Sequence, residues 1–325
     1  MKAMPEHIYD KGYKRVLSKK EYFLHFVKKY IRVNRIQNIQ PEDLNLINAN
    51  FVDEAFQERE ADIVYKAKNG DQDVYFYVLL ELQSTADYTM PFRLLVYMVE
   101  LLKREFKNTA PEIREKKDFR LPAVVPIVLY NGNSPWSVVK TFKEYTMQAD
   151  QFADNIIDFQ YLMLDLMRED DDYILSTNNA LDDIFLMDRG NKENGLINSI
   201  TKIIQRAPQH THEDILEVWD WFKDLVADKV DDPGLLEMTQ EAFMKGDVEA
   251  MTTNVERLFE RRYESGLMKG KAEGKAEGKA EGKAEGKWEV ALNMIRDQLS
   301  ISLIKKYTGL TDQEIEKLKT EYNAN

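Results

Sequence analysis

Between residues 13 and 33 apolar side chains recur at spacings near 3.6, through Val16, Leu17, Phe23, Phe26, Val27, Tyr30 and Ile31, and predict an amphipathic helix. The rhythm then shortens to two. Residues 44–52, 61–67 and 74–82 read as extended segments, and the turn-rich Asn-Gly-Asp-Gln-Asp between the last two predicts a β-hairpin. Asp87-Tyr-Thr-Met-Pro91 offers cap candidates and a proline suited to a first helical turn, ahead of a helix running to about Phe106. Residues 121–130 are a nearly continuous apolar run closed by Asn131-Gly132, as in a strand buried on both faces, and 159–166 reads as a further strand. The order helix, three strands, helix, strand, strand predicts a mixed α/β domain over residues 1–167.

From about residue 168 the pattern turns helical and acidic. Asp170-Asp171-Asp172 reads as a helix start, and Trp219, Trp221 and Phe222 are core candidates. Four KAEG units span 271–286. A glycine at every fourth position costs helix stability by about 1 kcal/mol each relative to alanine, so 266–287 reads as a solvated linker, at most transiently helical. Residues 288–325 read as short helices broken at Thr308-Gly309, with Thr311 capping the last. The expected divisions are therefore 1–167, an acidic α-helical region 168–265, the linker 266–287 and a small helical segment 288–325.

Composition narrows the chemistry. The 325 residues are 43% hydrophobic and 11% aromatic, enough for real cores, and no stretch approaches the ~20 apolar residues of a membrane span. A soluble, cytoplasmic protein is expected, with no membrane partner. Zero cysteines exclude disulfides, thiolate-ligated zinc and a thiol nucleophile, and four histidines leave little for imidazole catalysis. Hydrolytic chemistry would have to lean on carboxylates. The net charge of -12 is not uniform: 1–140 hold 22 Lys/Arg against 19 Asp/Glu, 141–264 hold 12 against 28, and 265–325 hold 11 against 10. The first part permits phosphate binding without indicating it, since a mixed solvated surface explains a small excess equally well.

Acids on the hairpin strands are the informative feature. Alternation puts Tyr75, Tyr77, Leu79, Glu81 and Gln83 on one face, so Glu81 and Gln83 project together after an apolar run. A carboxylate in such surroundings persists when paired, protonated or bound to a cation. A hairpin centred on Asp71-Gln72 sets Asp62 opposite Glu81, with Cβ atoms roughly 5 Å apart. A divalent cation would relieve their repulsion, and oxygen donors favour Mg²⁺ or Mn²⁺ over zinc. A tight turn on Asn69-Gly70 would instead pair Asp62 with Tyr77 and leave Glu81 roughly 13 Å along the strand. Both registers stand open, as does the plainer reading of solvent-facing strand-end acids.

Other candidates are weaker. Arg93, Tyr97, Glu100 and Arg104 share a helix face. Arg93 and Tyr97 could hold substrate phosphate, or the face could simply exchange ion pairs. His210-Thr-His212 suggests a metal pair less readily than a loop and helix cap. No Gly-rich phosphate loop, nucleophile elbow or Walker lysine is present, which counts against ATP use and acyl transfer.

The stretch ADIVYKAKNGDQDVYFYVLLELQSTADYTMPFRLLVYMVELL resembles the Rpn family of recombination-promoting nucleases, also described as transposases. YDKGYKRVLS, LPAVVPIVLYNGNSPW, the KAEG repeats and TGLTDQEIEKLK are similar to that family as well, closely over residues 7–166 and loosely beyond. The resemblance implies a restriction-endonuclease-like αβββαβ core of the PD-(D/E)xK kind with an α-helical C-terminal extension. It implies Asp62 and Glu81 as metal ligands and catalytic residues, with Gln83 where lysine commonly stands. Lysine would stabilise charge on the transition state, whereas Gln83 can only orient water by hydrogen bonding. Asp10 matches the family's N-terminal aspartate, as a further contact to the metal site or as an N-cap of the first helix.

The function expected is a Mg²⁺-dependent DNA endonuclease, the preference for DNA resting on the resemblance alone. Transposase-like strand transfer is the nearest alternative. A non-catalytic nucleic-acid or protein-binding regulator is the rival from another class, favoured by Gln83 and by the overall charge. The last helix, rich in Asp and Glu, is a poor recognition helix, so homo-oligomerisation through the C-terminal helical part is the better expectation there.

Overall fold

The N-terminal periodicity forms two helices, not one, in the computed structural model, which describes residues 6–32, 36–47, 63–69, 72–81, 86–152, 155–192, 195–226 and 232–323. Helix α1 (Glu6–Leu17) ends beside Ser18. Helix α2 (Lys20–Phe26) follows and runs into a π-helical turn, Val27–Ile31, which stops at Arg32 in the left-handed region with φ 57°. The Ser18 carbonyl at the break accepts a hydrogen bond from the Tyr65 hydroxyl at 2.5 Å, so interrupting the helix leaves that acceptor satisfied.

Among the described residues five strands form one sheet in the order β1 (Leu44–Ile47), β2 (Ile63–Asn69), β3 (Gln72–Glu81), β4 (Ala123–Tyr130), β5 (Leu162–Asp165). The first three are antiparallel, while β3, β4 and β5 run parallel. A parallel neighbour needs a crossover, and α3 (Met90–Asn108) with the short α4 (Pro111–Arg114) supplies it between β3 and β4. The turns α5 (Phe142–Tyr145) and α6 (Ala149–Phe152) connect β4 to β5. The domain is thus mixed α/β.

Alternation along β2 and β3 assigns the two faces. Tyr65 and Phe76, which pair in register, meet Phe23 of α2, with ring centroids 4.1 and 6.2 Å away. Val64 and Tyr77, also paired, face the other way into a core with Met90, Leu94, Tyr97 and Leu101 of α3 and with Val128 and Tyr130 of β4. Helices therefore cover both sides, as the near-continuous apolar sequence of β4 requires.

The acidic helical region packs back onto α1 and α2. It comprises α7 (Asp171–Ile174), α8 (Ala180–Lys192), α9 (Leu196–Arg206), α10 (His212–Val226) and α11 (Pro233–Lys245), and Asp170 caps α7 by accepting from the Asp172 and Tyr173 amides. The Trp221 ring packs at a tilt 4.6 Å from Tyr13, and Phe185 lies 5.1 Å from Tyr30. Helix α8 buries three carboxylates, two of them on this seam. Asp182 accepts from Tyr30 at 2.6 Å and Thr177 at 2.6 Å and lies 2.8 Å from His25 and 3.1 Å from Lys29. Burial alone would raise its pKa, but those partners outweigh it and hold the carboxyl below its ordinary value. Asp183 faces His210 at 2.6 Å and Arg206 at 3.4 Å, and there burial prevails and raises the pKa. Asp188 accepts from Tyr13 at 2.7 Å and from Asn131 at 2.9 Å. A buried charge is kept by such partners, and those of Asp182 and Asp188 tie the helical region to α1, α2 and the sheet domain. His210 is thus committed to Asp183, while His212 begins α10.

Residues Met1–Leu258 form one compact unit and Phe259–Asn325 a second. Helix α12 (Val248–Arg296) contains the whole KAEG tract, which is exposed, as a solvated linker would be, and helical throughout. Ala, Lys and Glu are good helix formers, and apolar residues buried before the tract (Met251, Val255, Leu258) and after it (Ala291) supply the tertiary support that offsets the glycines. In the second unit α13 (Ile301–Thr308) ends at Gly309 with φ 67°, and α14 (Asp312–Asn323) starts from a reciprocal Thr311–Glu314 capping box. Its core is Ala291, Ile304, Leu310, Ile315 and Leu318.

Candidate functional site

Three parallel strands end together. Glu81 at the end of β3 pairs with Tyr130 at the end of β4, which pairs with Asp165 at the end of β5. Ligand sites in open α/β sheets lie outside the carboxyl ends of parallel strands, so this row marks where chemistry would be sought. It includes one residue the sequence reading singled out, Glu81, and one it did not, Asp165. Asp165 carried the same signal as Glu81: a carboxylate closing an apolar strand.

The hairpin register differs from both expected ones. Asn69 pairs with Gln72 and Ile63 with Val78, which is two residues along β3 from either alternative. Gly70 and Asp71, between those paired ends, fall outside the described residues. Glu81 lies three residues beyond the partner of Ile63. Asp62 and Gln83 fall outside the described residues, and of Glu81 only the backbone position is described.

A loop is pinned over the strand ends. The Tyr130 hydroxyl donates to the Ser134 carbonyl at 2.8 Å, Trp136 Nε1 donates to the Tyr161 hydroxyl at 2.9 Å, and Tyr161 donates to the Val139 carbonyl at 2.7 Å. Arg168 donates to the carbonyls of Gly132, at 2.8 Å, and of Asn133. Gly132 crosses the face of Tyr130 so closely that a Cβ would overlap the ring, and only glycine fits. Asp165 Oδ2 accepts from the Trp136 amide at 3.3 Å, and Oδ1 lies 3.5 Å from Arg168. Burial outweighs those partners and raises the Asp165 pKa.

On α3 the two supporting candidates sit inside the subunit. Arg93 is buried, and its Nη1 donates to Asp87 Oδ2 at 2.7 Å; Asp87 Oδ1 accepts from the Thr89 amide and hydroxyl at 2.8 and 2.6 Å. Burial works against the Asp87 charge, but Thr89 and Arg93 prevail and lower its pKa. Asp87 was missed as a site residue; it braces the start of α3 directly after the Glu81 strand. Tyr97 is buried against the sheet and stacks on Tyr77, with ring centroids 5.0 Å apart. Asp10 lies within α1 and does not begin it, so it is not that helix's N-cap.

Lys66 is engaged at the opposite end of the sheet, 2.9 Å from Asp73 and 3.2 Å from Glu105, whose other oxygen accepts from Tyr75 at 2.6 Å. Burial opposes its charge, but the two carboxylates raise the Lys66 pKa and hold it as a structural cation. Among the described residues no three His, Asp or Glu side chains group as a metal site.

Comparison with known proteins supplies what the geometry leaves open. The family model described as "Putative transposase, YhgA-like" matches residues 7–215. "Recombination-promoting nuclease RpnD" of Escherichia coli O157:H7 is 34% identical over 116 residues, 35% of this chain and 39% of the relative. "Inactive recombination-promoting nuclease-like protein RpnE" of Escherichia coli strain K12 is 26% identical over 144 residues, 44% of each chain, and "Recombination-promoting nuclease RpnC" of the same strain is 25% identical over 126, 39% of each. The chain thus spans about two fifths of the length of the curated relatives it matches. No solved structure matches.

Proposed function

The chain belongs to the YhgA-like family of Rpn proteins, and from that premise we propose that it is a metal-dependent DNA endonuclease built on a PD-(D/E)xK-like core. The observation that carries the reading is the placement of Glu81 at the carboxyl end of β3, between the hairpin partner β2 and the parallel strand β4. The order of helix, antiparallel hairpin strands, crossover helix and parallel strand is the order that core requires.

In this reading Asp62 and Glu81 hold Mg²⁺ or Mn²⁺ and Gln83 orients the hydrolytic water. Even-numbered positions of β2 share a face with odd-numbered positions of β3, as the Val64–Tyr77 pair shows, and Asp62 and Glu81 keep that parity. Carboxylate oxygens, in a chain without cysteine, suit a hard divalent cation. Such a cation would supply an activated water and relieve charge on the phosphate. The Asp87–Arg93 pair and the Tyr77–Tyr97 stack act from beneath, fixing the start of α3 and the face of β3. Gln83 can accept and donate hydrogen bonds but carries no charge, so a slow enzyme is expected.

A non-catalytic reading is favoured by one observation: a relative of similar identity is named inactive. Purified protein incubated with supercoiled plasmid and Mg²⁺, Mn²⁺, Ca²⁺ or EDTA separates the two. Metal-dependent nicking abolished by Asp62→Ala and by Glu81→Ala supports the nuclease. Wild type no more active than the variants in any metal rejects it, and joined rather than cut products would indicate strand transfer.

A further inference from the structure

The three buried carboxylates of α8 are not equally provided for. Asp182 has Lys29 at 3.1 Å and His25 at 2.8 Å, and Asp183 has Arg206 at 3.4 Å and His210 at 2.6 Å. Asp188 is fully buried, yet its hydrogen bonds come from neutral groups, the Tyr13 hydroxyl and the Asn131 side-chain amide, and both end on Oδ2. Its Oδ1 is buried without a hydrogen-bond partner, and among the described residues no Lys, Arg or His pairs with this carboxylate. Taking a carboxylate out of water is costly, and hydrogen bonds to one of its oxygens offset part of that cost.

Where the missing positive charge would come from is set by where the two partners lead. Asn131 directly follows Tyr130, whose register partner on β3 is Glu81, and adjacent strands lie ~4.8 Å apart. Tyr130 faces the α3 core, so the next side chain turns to the opposite side of the sheet, where it meets Asp188. Tyr13 stands on α1 three residues after Asp10, and its bond to Asp188 anchors the helical turn that bears Asp10. Asp188 thus joins the end of β4 beside Glu81 to the first helix.

We propose that Asp188 is a positioning residue for the divalent cation assigned above to Asp62 and Glu81, and that this cation is the counter-charge the buried carboxylate lacks. The inference rests on the nuclease reading. Asp188 acts through Asn131 and Tyr13, which hold the strand end and the Asp10 turn, and through its charge, which a protein interior screens weakly. Carboxylates behind the ligands of a metal raise its affinity, and removing one weakens binding by about 10–100-fold. In the metal-free protein the same charge works against folding. Loss of the charge therefore favours the metal-free fold and disfavours metal binding, whereas at Asp182, whose basic partners are permanent, it harms the fold and leaves the metal alone.

Asp188→Asn keeps the shape and an oxygen that accepts from Tyr13 and Asn131 while removing the charge. Calorimetric titration of the metal-free full chain with Mg²⁺ and with Mn²⁺ is expected to give an affinity about 10–100-fold weaker in Asp188→Asn than in wild type. Without metal, Asp188→Asn is expected to melt at the wild-type temperature or above it. Asp182→Asn is expected to melt lower and to bind metal within a few-fold of wild type. Glu81→Ala in the same titrations tests the ligand assignment by itself. Wild-type affinity in Asp188→Asn, with affinity lost in Glu81→Ala, would overturn the proposal and leave the nuclease reading standing. An Asp188→Asn protein that melts lower than wild type without metal, or does not fold, would also overturn it, since the residue is then a structural brace. A wild type that binds neither metal would overturn the nuclease reading and the proposal with it.

Discussion

Val64 on β2 pairs with Tyr77 on β3, and this one pairing fixes the register of the hairpin four residues before Glu81, the last residue of β3. If Glu81 and Asp62 hold a cation in the proposed manner, removing either forfeits several kcal/mol of transition-state stabilisation. Glu81→Ala and Asp62→Ala are each expected to lower the nicking rate at least about 100-fold. Their thermal melting points should stay level or rise, since like charges are being separated. A rate within a few-fold of wild type for either variant removes that residue from the site.

The pairing also shows where sequence reading stops. The two registers considered and the one formed differ by steps of two residues, so all three put Val64 and Lys66 on the face of Tyr75 and Tyr77. Hydrophobic alternation cannot separate them; only the turn can, and Asn-Gly-Asp-Gln offers several. The apolar run of β4, the Asp170 cap and the Thr311 capping box were legible because each is a local signal. The break between α1 and α2, the helical KAEG tract and the Asp182, Asp183 and Asp188 network depend on partners distant in sequence, which no local pattern announces.

Asp87 and Arg93 should behave as a pH-dependent brace. The Asp87 pKa is lowered in the folded protein, so its contribution is present above the ordinary carboxylate value and is lost as pH falls through the lower folded one. Asp87→Asn is expected to cost about 1.5–3 kcal/mol at pH 7. Urea unfolding of wild type and variant should show that gap narrowing below about pH 4. A gap unchanged at pH 3 would mean the pair does not hold the charge.

Asp165 should show the opposite dependence. Burial raises its pKa, so the folded state favours the protonated form, and the contribution present at low pH is lost as pH rises through the raised value. Asp165→Asn keeps an acceptor for the Trp136 amide while removing the buried charge. Wild type should therefore be more stable relative to Asp165→Asn at pH 4 than at pH 7, in parallel urea titrations. A difference that grows with pH would show that Arg168, and not burial, sets the ionisation.

One substitution at two glycines should have opposite signs. At Gly132 a Cβ would drive into the buried Tyr130 ring, which Trp136 packs against at 5.0 Å and which has nowhere to move. Gly132→Ala is expected to destabilise by about 1–3 kcal/mol, as overpacking does. At Gly278, within α12, a Cβ meets nothing within 4 Å, and alanine there favours helix by about 1 kcal/mol. Denaturation of the first variant and the far-ultraviolet circular dichroism of the second check the pair. A neutral Gly132→Ala would show that the loop over the strand ends yields, and a Gly278→Ala without added helicity would show that the tract draws its helix from its flanks alone.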